Sequence, residues 1–183
     1  GSNPTFADCT IENNTAEYYG GGIYCDYNAA PYLSQCTISN NAASSAGGLH
    51  CEGSSVPSLS ACTISGNTAA NIGGGIFCST SSPIITDCTI TSNVASGGDG
   101  GGIWCYYQSL PLISGTVLCD NSPDQILGSW SDGGANTITD ECPADCDGDI
   151  TGDGHVGVDD LLTVIAAWGN PYDVNDMLTV IEN

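Results

Sequence analysis

P-I-I-T-D-C-T-I-T-S-N at residues 83–93, followed by G-G-G-I-W-C at 100–105, is one unit of a pattern that runs through most of the chain. The same unit reads P-T-F-A-D-C-T-I-E-N-N from Pro4, P-Y-L-S-Q-C-T-I-S-N-N from Pro31 and P-S-L-S-A-C-T-I-S-G-N from Pro57, with a fifth copy, P-L-I-S-G-T-V-L-C-D-N, from Pro111. Cysteine recurs at 9, 36, 62 and 88, at intervals of 27, 26 and 26. A second series, at 25, 51, 78 and 105, closes G-G-G-I-Y-C, A-G-G-L-H-C, G-G-G-I-F-C and G-G-G-I-W-C. A fixed period of this length marks stacked repeats, in which each unit buries its apolar face against its neighbours.

Each unit holds short β-prone runs punctuated by Asn, Gly and Pro, and none has the period of a repeat helix. In C-T-I and G-I-x-C the Cys and Ile share parity, so strand alternation puts both on one face and predicts an interior of Ile, Leu and Cys. Parallel strands about 4.8 Å apart would make five such coils a rod of roughly 25 Å. Asn14, Asn41, Asn67, Asn93 and Asn121 fall in one column, where amides at a turn would bond along the stack as a ladder. Glycine ahead of each G-I-x-C strand permits positive φ at a tight corner. Tyr24, His50, Phe77 and Trp104 precede the second cysteines and are expected to stack outward as a stripe, with Tyr106 and Tyr107 nearby. Cross-strand packing is the ordinary role of such a stripe; binding of sugar rings or a partner protein is the other.

These units resemble the right-handed β-helix repeats of secreted bacterial surface proteins, among them the polymorphic outer-membrane proteins with their GGxI and xxxN signatures. The resemblance covers about residues 3–139, with 125–139 as the closing coil. The expected fold is all-β, a right-handed parallel β-helix (solenoid) of about five coils over residues 1–141, followed by a small helical tail at 142–183.

Lys and Arg are absent and Asp plus Glu total 21, for a formal charge of -21. Such a surface cannot neutralise phosphates or attract anionic lipid, which excludes nucleic acid and membrane-surface partners. No apolar run approaches the ~20 residues of a membrane span, so no membrane insertion is expected. Cations, neutral glycans and basic protein surfaces remain as partners. Eleven cysteines without a CxxC pair suit a disulfide framework made in an oxidising compartment, and the expected location is secreted, extracellular or cell surface. The chain, opening Gly1-Ser2 without a signal segment, reads as a processed form or a fragment.

The spacing of one cysteine pair per repeat, 15 to 17 residues apart, suggests disulfides Cys9 with Cys25, Cys36 with Cys51, Cys62 with Cys78 and Cys88 with Cys105. Loops of that size would add roughly 3 kcal/mol each. The alternative is a ladder of reduced thiols packed as small apolar side chains. Cys119, Cys142 and Cys146 are left over, and two of them can pair.

After Pro143 the composition changes to D-G-D-I-T-G-D-G-H-V-G-V-D-D-L-L-T-V-I-A-A-W-G. An EF-hand-type loop needs oxygens at positions 1, 3, 5, 7, 9 and 12 and Gly at 6. From Asp149 these fall on Asp149, Thr151, Asp153, the His155 carbonyl, Gly157 (through water) and Asp160, with Gly154 at the turn. The expected ligand is Ca²⁺; an Asp-capped turn before a helix is the plainer reading. This loop and D-D-L-L-T-V-I-A-A-W resemble the first half of a type I dockerin. The second half departs: V-N-D-M-L-T-V-I from Val174 echoes V-D-D-L-L-T-V-I from Val158 after 16 residues, without room for a second loop. The resemblance therefore implies one calcium site and two short helices, and does not carry over the dockerin's cohesin partner.

Secreted β-helices include pectate lyases, which commonly use an Arg or Lys base that this chain lacks. Glycoside hydrolysis needs two facing carboxylates, and Asp8, Asp87 and Asp99 form no consistent acidic column. His50 and His155 have no evident nucleophile partner in the sequence. The expectation is a non-enzymatic structural scaffold, calcium-binding and self-associating end to end or with another surface protein. A glycan-binding adhesin and a degenerate polysaccharide-active enzyme are the alternatives.

Overall fold

The computed structural model describes residues 2–142, which form a unit of their own. The expected calcium ligands Asp149, Thr151, Asp153, His155 and Asp160, and the two tail helices, lie outside the described residues.

The chain winds through about five turns, and every strand pairs in parallel with its counterpart one turn away. Each turn visits four walls. Wall I stacks Thr5–Ala7, Tyr32–Ser34, Ser58–Ser60, Ile84–Thr86, Leu112–Ser114 and Ser131–Asp132. Wall II stacks Thr10–Glu12, Thr37–Ser39, Thr63–Ser65, Thr89–Thr91, Val117–Cys119 and Thr137–Ile138. Wall III is short, with Ala42–Ser45, Thr68–Ile72 and Val94–Ala95. Wall IV holds Ile23–Cys25, Leu49–Cys51, Ile76–Ser79, Ile103–Tyr106 and Ile126–Gly128. No helix occurs among the described residues.

Strands this short end because a single left-handed residue turns the chain. Asp8, Gln35, Ala61 and Asp87 take φ between 51 and 52° at the corner of walls I and II. Asn13, Asn40, Gly66, Ser92 and Asp120 do the same after wall II, at 53 to 62°. Asn, Asp and Gly tolerate this region best, which accounts for their columns; Gln35 and Ala61 stand there at a steric cost that stacking offsets. Ahead of wall IV the turn falls on Gly20, Ala46, Gly73 and Gly100. The third glycine of that triplet is needed for space instead: a Cβ at Gly75 would stand 2.7 Å from the Gly102 carbonyl oxygen and 3.1 Å from Asn93.

Alternation in each wall sends one side chain inward, and the interior is three columns of aliphatic residues. Leu33, Leu59, Ile85 and Ile113 line wall I, Ile38, Ile64, Ile90 and Leu118 wall II, and Leu49, Ile76 and Ile103 wall IV; none is more than 1 % exposed. Phe6, Ile11 and Ile23, their first-turn counterparts, are partly buried and pack against this core.

The asparagine column sits inside the corner between walls II and III. The Asn41 side-chain amide donates to Asn67 Oδ1 at 3.1 Å and to the Ile11 carbonyl at 2.9 Å, while its Oδ1 accepts from Asn14 Nδ2 and the Asn14 backbone N–H, both at 3.0 Å. Asn67 and Asn93 repeat this set, and Asn121 ends it by donating to Gln125 Oε1 at 2.7 Å. A second ladder, unread in the sequence, precedes the prolines: Ala29, Ser55 and Ser81 N–H groups donate to Ser55, Ser81 and Ser109 hydroxyls at 3.1 to 3.2 Å.

Asn67→Ala should be far costlier than its small volume suggests, because it removes the acceptor shared by the Asn41 backbone N–H and side-chain amide and takes one donor each from the Ile38 carbonyl and Asn93 Oδ1. A loss of about 2–4 kcal/mol in urea unfolding is expected. Asn14→Ala, at the exposed end of the ladder, should cost under about 1 kcal/mol in the same measurement.

Candidate functional site

Four residues hold the outward side of wall IV in register, Tyr24 beside His50, His50 beside Phe77 and Phe77 beside Trp104. Their rings are in contact, with centroid separations of 5.3, 4.8 and 5.1 Å along the column. The expectation of an outward stripe needs correction at its centre: Tyr24 is 46 % exposed, but His50 is 1 % and Phe77 5 %. Walls III and IV meet at the glycine corner, and residues of both line one hollow. Tyr19 closes over His50 at 4.9 Å and stacks on Tyr24 at 5.9 Å; Tyr106 packs on Phe77 at 6.4 Å and on Trp104 at 5.3 Å. The middle of the stripe is thus the floor of a cleft of about 380 Å³, with Tyr18, Tyr19 and Tyr106 at its rim and Ser44, Ser45 and Asn71 along its wall III side.

At the floor, His50 is not without partners, which corrects the sequence reading. Ser45 Oγ lies 3.3 Å from Nδ1, and Glu52 Oε2 lies 3.5 Å from Nε2. The carboxylate favours a proton on Nε2, so Ser45 donates its hydroxyl hydrogen to Nδ1. The order hydroxyl, imidazole, carboxylate is that of a nucleophilic triad. Here its evident effect is positional, because it locks the ring and its tautomer. Nε2 makes no hydrogen bond within the protein. Burial pushes the imidazole below its usual value, with Glu52 pulling the other way. Glu52 also accepts from the Tyr24 hydroxyl, and this bond, ahead of burial and of Asp26, pushes the Tyr24 phenol well up. Tyr18 and Tyr19 carried no repeat signal, since no later unit has aromatics there.

The within-repeat disulfides are also corrected. Cys9, Cys25, Cys36, Cys51, Cys62, Cys78, Cys88 and Cys105 are free thiols. Cys25, Cys51, Cys78 and Cys105 stack in wall IV, whereas Cys9, Cys36, Cys62 and Cys88 stack at the corner of walls I and II, so each sulfur faces its own column one turn away. The corner thiols have a task there: Cys9, Cys36, Cys62 and Cys88 donate to the carbonyl two residues back at 3.2 to 3.4 Å. Thr116, in the unit lacking that cysteine, makes the same bond at 3.0 Å. Burial holds the Cys105 and Cys51 thiols high. The one disulfide among the described residues joins Cys119 to Cys142, with Cα atoms 4.7 Å apart, and ties the end of this unit to the outer side of wall II.

Two outcomes follow from these environments. Stability should fall as pH drops below about 6.5, the value of an unburied histidine, because the unfolded chain then takes up a proton that the buried His50 refuses; above that pH the contribution is complete. Urea unfolding of wild type and His50→Phe over this range checks it, since carboxylate titration is common to both and only wild type should show the additional loss. Among the described thiols, Cys9 should react with an Ellman-type reagent in the native protein and the seven buried ones only after unfolding.

The family described as a right-handed β-helix region matches residues 1–144. No curated protein and no solved structure matches the chain. With most of its length matched and four walls of in-register parallel strands, the chain belongs to the right-handed β-helix family.

Proposed function

We propose that the protein is a non-enzymatic scaffold of the cell surface or extracellular matrix, a stiff spacer that binds calcium through its tail and associates end to end. The observation that supports this reading is the continuity of the stack. The asparagine ladder and the aliphatic columns run from the first turn to the last, and their bonds lie along the axis, where a spacer carries load. End-to-end association would continue the same parallel ladders from one copy to the next. Bound Ca²⁺ at Asp149, Thr151, Asp153, the His155 carbonyl and Asp160 would offset the repulsion between copies of charge -21. The Cys119–Cys142 disulfide supports an oxidising compartment.

Calorimetry on EDTA-treated protein should register calcium binding that Asp153→Ala abolishes, with stabilisation of the tail by mass action. Light scattering should then show mass rising with protein concentration, more steeply with calcium. A monomer at every concentration, with and without calcium, would sink the end-to-end reading.

A further inference from the structure

We propose that Tyr19 and Tyr24 form a site of oxidative phenol coupling, at which hydrogen peroxide and a haem peroxidase join the two rings as dityrosine, with Glu52 as the base that takes the Tyr24 proton. The two residues flank the glycine corner of the first turn, where Gly20 turns the chain with φ 57°. Both are held by the second turn: Tyr19 bridges to Ser45 of wall III and Tyr24 pairs with His50 of wall IV. Their rings stack with centroids 5.9 Å apart and planes 20° from parallel. The other tyrosine pairs in contact among the described residues are Tyr18 with Tyr19 and Tyr106 with Tyr107. These are chain neighbours, 6.3 Å apart in both cases and tilted by 47 and 41°. Tyr19 is 52 % and Tyr24 46 % exposed, so a peroxidase can draw an electron from either.

A carboxylate at the phenol is the second observation. Removing an electron from a phenol makes its hydroxyl strongly acidic, so oxidation is easiest where a base already holds that hydrogen. Tyr24 donates its hydroxyl hydrogen to Glu52, and Asp26 Oδ2 lies 3.3 Å from the same oxygen. The bond to Glu52, ahead of burial, keeps the phenol protonated at neutral pH, so the proton leaves only with the electron. A peroxidase takes one electron from Tyr24 while the proton passes to Glu52, leaving a neutral phenoxyl radical. Tyr19 loses the second electron and releases its proton to water. The two radicals form one carbon–carbon bond between positions ortho to the oxygens, and the hydrogens on those carbons move to the oxygens to restore two phenols. The two electrons and two protons given up reduce one hydrogen peroxide to two waters. A stacked pair reacts as though at high local concentration, which favours this partner over a tyrosine of another molecule. The new bond would tie wall III to wall IV across the glycine corner, whether or not copies associate end to end.

Treatment of the dilute full chain with peroxidase and hydrogen peroxide tests the assignment, read by dityrosine fluorescence, denaturing gels and mass spectrometry. The main product should be a fluorescent monomer two hydrogens lighter, with fragmentation placing the link between residues 19 and 24. Thiol oxidation gives the same mass change without the fluorescence. Tyr19→Phe and Tyr24→Phe each keep an aromatic ring and should abolish this product, whereas Tyr18→Phe and Tyr107→Phe should leave it. Glu52→Gln should slow its formation roughly tenfold or more, the loss expected when a proton acceptor is removed. Urea-unfolded wild type should lose the preference for this pair, and melting temperatures identify any variant that has lost its fold. Absence of dityrosine, a cross-linked dimer as the main product, an undiminished monomeric product in Tyr19→Phe or Tyr24→Phe, or an unchanged rate in folded Glu52→Gln would each overturn the proposal.

Discussion

Every wall of this molecule depends on one constraint: a parallel strand must find its hydrogen-bond partners in the turn above and the turn below, at the same position of the repeat. The backbone ladders satisfy the amides and carbonyls in the strands. At the corners, where the chain changes direction, side chains complete the set. The asparagines do this most fully, since each side-chain amide donates both to the next asparagine and to a backbone carbonyl. A buried amide is costly unless all its bonds are made, so the column is stable only when each turn supplies the same residue in the same place.

The corners also explain why the repeat tolerates some substitutions and not others. One left-handed residue per corner is enough to turn the chain, and Asp8, Gln35, Ala61 and Asp87 all serve at equivalent positions because each only has to reach φ near 52°. Next to it the requirement is chemical: a small buried group must donate to the carbonyl two residues back, and Cys88 and Thr116 do so alike. The thiols therefore contribute as compact donors and packing groups, with their sulfurs directed along the stack.

Departures from the repeat are where the surface acquires individuality. His50 is the one titratable imidazole in the aromatic column, and Tyr18 and Tyr19 appear in the first turn alone. Together with Tyr106 they convert a flat sheet face into a cleft lined in part by His50. Cys119 stands where earlier turns have Glu12, Ser39, Ser65 and Thr91, and so becomes the outer anchor for Cys142.

By itself the sequence determined the fold, the position of each turn, the aliphatic interior and the residues that align along the axis. A period of 26 or 27 with strand alternation leaves one way to bury Ile and Leu. It did not determine which contacts run around a turn and which run along the stack, because spacing within a repeat is blind to the direction in which side chains meet. Cys9 and Cys25 lie 16 residues apart in the chain, yet Cys9 sits at the corner of walls I and II and Cys25 in wall IV. Only the tertiary structure decided that the thiols stay in separate columns, that Cys119 meets Cys142, and that Tyr19 and Tyr106 roof the aromatic column. The last of these arises where walls III and IV meet, and all of them depend on which walls face each other, which a linear period cannot encode.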